Sequence, residues 1–153
     1  MEILHYGHTN LINNNNSRYV LRPYSTNDIY FITNCKFPAI AYKKVWGLKK
    51  WNDAKSNCAS MGAHLMEVHT REDYERALRF REIMENGFWL GGNDKESEGN
   101  WVWNSNEEKV KLNEFWRESR PKQDTNRNCL VMGGEGLLDY RCTNKRKSVC
   151  IFD

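Results

Sequence analysis

Five cysteines and one cation-rich loop carry most of the reactive chemistry of this 153-residue chain. Four of the thiols, Cys58, Cys129, Cys142 and Cys150, lie in the C-terminal part, the last two separated by seven residues in CTNKRKSVC. No Cys-x2-Cys pair and no paired Cys/His spacing of the usual zinc kind occurs, so these thiols read as disulfide formers in an oxidising compartment. Counting alone leaves their pairing open, and the odd fifth, Cys35, is either a free thiol or the seat of a bridge to a second chain. The cysteines bracket residues 116–141, a stretch that holds Arg120-Pro121-Lys122, Arg127 and Leu137-Leu138-Asp139. Guanidinium and ammonium groups donate several hydrogen bonds and a carboxylate accepts them, so a binding site is expected in this loop.

Catalysis is not expected. There is no nucleophile elbow, no phosphate-cradling glycine loop and no metal triad. His64 sits in Gly-Ala-His-Leu and reads as the start of a core strand, while His69 precedes a helix cap. His5 and His8 fall in a polar first stretch. Charge is nearly balanced, 23 Lys+Arg against 20 Asp+Glu, which is too mild for a general nucleic-acid binder. No run of 18 apolar residues occurs, so nothing spans a membrane and no membrane partner is expected. The last third is richer in cations, with Arg141, Lys145, Arg146 and Lys147 close together. Lys145 to Lys147 read as a solvated face, and the sharper alternative is a patch facing an anion or a glycan.

The loop must be positioned by the rest of the chain, which reads as α+β. Residues 1–27 are polar, contain four consecutive Asn and read as an N-terminal extension, with Asn15-Asn16-Ser17 matching the N-glycosylation pattern. The domain is placed at 28–153. IYFIT and AIAYKKVW read as strands. From Lys50 to Met61, Trp51, Ala54, Cys58 and Met61 trace one buried helical face, stopped by Gly62. Thr70 caps a second helix with Asp73 in the reciprocal position, and Tyr74, Ala77, Leu78, Arg81 and Met84 form its stripe. FWLGG, Asn100 to Trp103, Cys129 to Met132, Leu137 to Cys142 and Ser148 to Phe152 read as strands. The N-terminus, MEILHYGHTNL, has neither the cationic start nor the apolar core of a secretion leader, so for a secreted protein the leader is taken as already removed.

The order WNDAKSNCASMGAHL, FWLGG, EGNWVW, then Cys129…Cys142-x7-Cys150 resembles the C-type lectin-like domain over about residues 29–153. The resemblance is to secreted invertebrate-type members with a degenerate calcium site. It implies the α+β lectin fold and the pairings Cys58–Cys150 and Cys129–Cys142. In the chain-entropy account these bridges are worth about 4.7 and about 3 kcal/mol. An extracellular location follows from the resemblance. The second cysteine of the extra hairpin disulfide of long-form members would fall near Ala41, so Cys35 is left to link a homodimer or to remain a buried thiol.

The resemblance also says what the loop should do. Family members hold sugar through calcium, which needs several oxygen ligands. Here the ligand triplet is Arg120-Pro121-Lys122, the acid two before Cys129 is Arg127, and only Asp139 remains of the Trp-Asn-Asp motif. A second family site would use Asp94 and Glu98, with its other ligands on Gln123, Arg127 and Asn128. No calcium is expected at either. The family keeps the proline in cis. A cis Pro121 would project Arg120 and Lys122 to the same surface as Asp139, with cations in the volume that calcium fills elsewhere. Some similar invertebrate lectins carry a basic residue before the proline and bind sugar without calcium. The implied function is therefore a lectin that takes vicinal hydroxyls, an acetamido group or an anionic glycan through Arg120, Pro121, Lys122, Arg127 and Asp139, in glycan recognition, innate defence or agglutination. Tyr140 is a candidate aromatic platform, whereas Trp116 reads as core. The alternative is a lectin-like module that binds a protein.

Overall fold

The computed structural model describes residues 12–14, 17–24, 29–34, 37–111 and 113–153, with side chains described from residue 40 on, Leu112 and Asn113 excepted. Cys35, His5, His8, Asn15 and Asn16 lie outside the described residues.

Strands β1 (Ile12–Asn14), β2 (Ser17–Tyr24), β3 (Ile29–Asn34) and β4 (Phe37–Lys49) form a run of antiparallel neighbours. Part of the stretch read as an extension is thus strand. Its Tyr-Val-Leu segment suits a pleated surface, and β2 pairs with β3 from Tyr19↔Asn34 to Tyr24↔Ile29. Next come α1 (Trp51–Ala59), β5 (His64–Leu65), α2 (Arg71–Ile83), β6 (Phe88–Asn93) and β7 (Val102–Trp103). After the loop follow β8 (Cys129–Gly133), β9 (Gly136–Tyr140) and β10 (Arg146–Phe152). The sheet order is β1-β2-β3-β4-β10-β6-β8-β9, with β5 on β10 and β7 on β6. The last strand, β10, lies between β4 and β6, antiparallel to the first and parallel to the second.

Local chemistry accounts for both helices. α2 starts at Thr70, whose hydroxyl accepts from the Asp73 N–H at 3.1 Å while the Asp73 carboxylate accepts from the Thr70 N–H at 3.0 Å. Its buried face is wider than the expected stripe. Phe80 is buried with Ala77 and Met84, and Arg76 is buried too, held by Asp73 at 2.8 Å and Glu72 at 2.9 Å. α1 buries Trp51, Ala54 and Cys58, and the chain leaves it at Gly62 in the left-handed region, φ +73°.

β6 explains the two-sided core. Successive strand residues face opposite ways, and its first five residues are all buried. Phe88 and Leu90 enter the cluster under α2 with Phe80, Met84, Leu130, Met132 and Val149. Trp89 enters the cluster under α1 with Trp51, Leu65, Val131 and the cysteines. Full burial of each such large apolar side chain stabilises by roughly 2–3 kcal/mol. The two indoles also cross-link the layers: Trp51 Nε1 donates to the Leu90 carbonyl and Trp89 Nε1 to the Lys49 carbonyl, each at 2.8 Å. Gly91 and Gly92 are required by close approach. A Cβ at Gly91 would lie 2.9 Å from Glu67 Oε1, and one at Gly92 would lie 2.6 Å from Leu130 Cδ2.

Cys58 joins Cys150, and Cys129 joins Cys142, with Cα separations of 5.4 and 5.2 Å. The first bridge ties α1 to β10 and the second closes the base of the loop. Both pairings are those the resemblance implied.

Candidate functional site

The loop leaves the core at Trp116, which packs edge to face on Trp101 at 5.2 Å between centroids and forms a parallel bridge with Leu137. The Arg117 N–H donates to the Leu137 carbonyl at 3.0 Å, which fixes where the chain turns away from β9. Arg120–Pro121 is cis, as the resemblance implied.

Beyond that turn the structure brings together two of the expected site residues. Arg120 Nη1 donates to Asp139 Oδ1 at 2.9 Å. The Asp139 side chain is 0% exposed and that of Arg120 is 18% exposed, so the pair is largely out of water. This corrects the expectation that Asp139 shares an open surface with the cations. The reason is the strand period: Leu137 and Asp139 are two apart on β9, and Leu137 is in the core under α2. Cross-strand, Asp139 stands opposite the buried Leu130. The carboxylate therefore faces inward, and the guanidinium folds over to meet it.

The other expected residues go elsewhere. Arg127 turns to its own loop, with Nε 3.1 Å from Asp124 Oδ2, and Asp124 also accepts from the Asn126 N–H. These contacts hold the Asp124 carboxyl below the usual carboxylate range, the Asn126 N–H being the largest cause and the Arg127 cation a smaller one. Lys122 is exposed beside Pro121 and makes no ion pair among the described residues. Tyr140 lies on the face of β9 opposite Asp139, at the edge of the cluster under α1, with the Arg146 guanidinium 4.1 Å above its ring. It is not brought into the Arg120 site. Arg146 and Lys147 also depart from the solvated face expected of them: Lys147 Nζ donates to the Met84 carbonyl at 2.9 Å.

A second acid lies behind the loop. Asp94 is 1% exposed, and its Oδ2 accepts from the Gly99 N–H at 2.9 Å in the turn that carries Glu98 and Gly99. Burial is the main cause that lifts its carboxyl from the ordinary 3.8 to about 6; the Gly99 N–H opposes the shift, and the negative charges of Glu98 and Asp139 add to it. Two buried carboxylates thus sense each other, and only one has a cation. Asp139 Oδ2, Asp94 Oδ1 and Asn128 Oδ1 are buried without hydrogen-bond partners. These residues do not make a calcium site of the family type. Calcium takes about six to eight oxygens. Here Arg120 already occupies one Asp139 oxygen, and Arg127 and Lys122 stand where oxygens would be needed. Among the described residues no group of three or more His, Cys, Asp or Glu is arranged to hold a metal.

One polar residue escaped the sequence reading. Glu67 is buried and accepts from Ser105 Oγ at 2.7 Å and from the Ser105 N–H at 2.9 Å, while His69 Nε2 lies 3.0 Å from its Oε2. It fastens the segment after β5 to the turn after β7. The signal was a charge between Met66 and Val68, two core residues.

A disulfide-stapled α+β domain, with a long loop folded around a cis proline, is a binding scaffold of the lectin type. The family model described as "Lectin C-type domain" matches residues 47–152, and the chain belongs to that family. C-type lectin domain family 4 member D of Homo sapiens is 28% identical over 102 residues, 67% of this chain and 44% of that protein. The chain thus spans less than half of that relative's length. In fold it is similar to the murine dendritic cell inhibitory receptor 2 lectin domain in complex with N-glycan (TM-score 0.68, 23% identity, 85% of this chain and 99% of that one). It is likewise similar to a calcium-independent type II antifreeze protein (TM-score 0.64, 23% identity, 73% and 85%).

Proposed function

We propose that this domain is a lectin that binds carbohydrate without calcium and acts by binding, not by catalysis. The observation that carries the reading is the Arg120–Asp139 ion pair at 2.9 Å in the loop that bears the cis proline. A guanidinium held there stands in for a cation, and its remaining N–H groups can donate to vicinal hydroxyls or to an acetamido carbonyl. Lys122, exposed next to Pro121, adds an ammonium donor toward anionic glycans, while Arg127 is engaged by Asp124. Asp139 then works as the positioning group for Arg120, and Pro121 sets the direction of the loop. The fold neighbour solved with N-glycan and the calcium-independent antifreeze neighbour support, respectively, a sugar-binding and a metal-free use of such a scaffold.

The two disulfides support an extracellular location, since such bonds persist in oxidising compartments. A role in innate defence needs recognition alone, whereas cross-linking in agglutination requires two sites, which a homodimer bridged through Cys35 would supply. Migration on a non-reducing gel tests that bridge, and a monomer band without reductant removes it. A second reading, a protein-binding module without sugar activity, is favoured by the burial of Asp139, which leaves no carboxylate at position 139 to accept from a sugar hydroxyl. A glycan array run in EDTA separates the two. Binding that persists in chelator and drops in Arg120→Ala and Lys122→Ala supports the lectin; a blank array overturns it in favour of the protein partner.

A further inference from the structure

The pairing of β4 with β10 is broken at one place. Arg146 pairs with Lys49 and Ser148 with Val45, so Trp46, Gly47 and Leu48 stand opposite the single residue Lys147. Extra residues on one strand interrupt the ladder and bend that strand. Trp46 is 51% and Leu48 61% exposed, and they are the only exposed large hydrophobic side chains among the described residues. A solitary surface hydrophobe is ordinary, but here two flank Gly47 on one bulge and form an exposed apolar tip.

That tip is set in positive charge. Lys147 Nζ lies 4.8 Å and Lys44 Nζ 5.6 Å from the Trp46 ring centroid. The bond from Lys147 to the Met84 carbonyl fixes one of these cations at the end of α2. Neither β4 nor β10 contains an acidic residue, and Lys49 and the exposed Lys50 continue the basic stretch beyond Leu48. The charge complementarity is to an anionic surface. A hydrophilic polyanion would engage the lysines and leave Trp46 and Leu48 in water. A bilayer engages both: indole rings settle at the headgroup level, a leucine reaches the acyl boundary, and lysines meet anionic headgroups.

We propose that the Trp46–Leu48 bulge, with Lys44, Lys50 and Lys147 around it, is a peripheral docking surface for an anionic lipid bilayer. The chain would lie on such a membrane and not cross it, which narrows the sequence-based expectation of no membrane partner to spanning alone. The surface shares no residue with the Arg120 loop, so it stands or falls apart from sugar binding.

The test is co-sedimentation of the full chain with phosphatidylcholine vesicles that contain phosphatidylserine, against vesicles of phosphatidylcholine alone. Tryptophan fluorescence in brominated lipid is read in parallel. Trp51, Trp89, Trp101 and Trp103 are buried and Trp116 is partly buried, so the quenching assigned to Trp46 is the part lost in a Trp46→Ala variant. The expected result is partitioning onto the anionic vesicles with quenching, lowered about tenfold or more by Trp46→Ala/Leu48→Ala, and lowered less, with weaker salt dependence, by Lys44→Gln/Lys50→Gln. Both variants change surface side chains, and an unchanged thermal melt confirms their folding. The proposal is overturned by absence of partitioning, by equal partitioning of the Trp46→Ala/Leu48→Ala variant, or by binding to dextran sulfate without binding to vesicles.

Discussion

The two regions that bury acids in this domain satisfy them by opposite means. Behind the turn after β7, Glu67 is held by neutral donors, the Ser105 hydroxyl and N–H, with His69 alongside. At the long loop, Asp139 is held by the charge of Arg120, and Asp94 has one backbone N–H and no cation. Neutral donors fasten the Glu67 carboxylate to the turn without a countercharge, so this attachment depends little on salt. Arg120 pairs with Asp139 alone, so this end of the loop depends on charge balance, and Asp94 carries the cost of its burial with one N–H.

Removing the cation is the harshest way to break that contrast. Arg120→Ala leaves Asp139 charged, buried and unpaired, and should cost about 3 kcal/mol or more in urea unfolding. Arg120→Met with Asp139→Leu should recover much of that loss, because the charge to be solvated is gone. Next is the neutral site. Glu67→Ala strands the Ser105 donors and should cost about 2 kcal/mol, with a midpoint that shifts little between low and high salt. A smaller change in the other direction is expected at Asp94. Its folded carboxyl titrates near 6 and its unfolded one near 3.8. Between those values the folded chain holds a proton that the unfolded chain has released, so stability falls as pH rises through this window. Asp94→Asn should therefore raise the melting temperature by about 2–4 °C at a pH of about 7.5 and give no gain at a pH of about 3.5. Calorimetry at both pH values decides it; an equal gain at both would point to hydrogen bonding instead. The smallest effect belongs to Arg127→Ala. Its partner Asp124 is a near neighbour on the same half-exposed turn, so the change should stay within about 0.5 kcal/mol.

The sequence made the local part of this arrangement readable. Thr70 and Asp73 announce their capping box by spacing, and Gly62 marks the end of α1, because both depend on neighbours along the chain. Cysteine order together with FWLGG carries the fold. What could not be read directly was depth. Whether Asp139 faces a ligand or the core depends on the register of β9 against β8, and on Leu130 across from it. Leu137 two residues earlier was a usable clue, since strand alternation puts it on the same face. The same clue separates Tyr140 from the site. The exposed position of Trp46 was hidden for another reason: AIAYKKVW reads as uninterrupted strand, and the three-against-one bulge exists only once β10 lies alongside it.

The Cys58–Cys150 bridge has a consequence for how the molecule wears. Residues 59–149 lie inside one covalent ring, and the whole Arg120 loop is within it. A protease that cuts the loop once opens the ring but releases no fragment, because both new ends remain attached through Cys58 and Cys150. A clipped molecule keeps its mass on a non-reducing gel and comes apart only when reductant is added. In a compartment that holds proteases and few thiols, the loop can be nicked and its residues still stay tethered to the sheet that positions them.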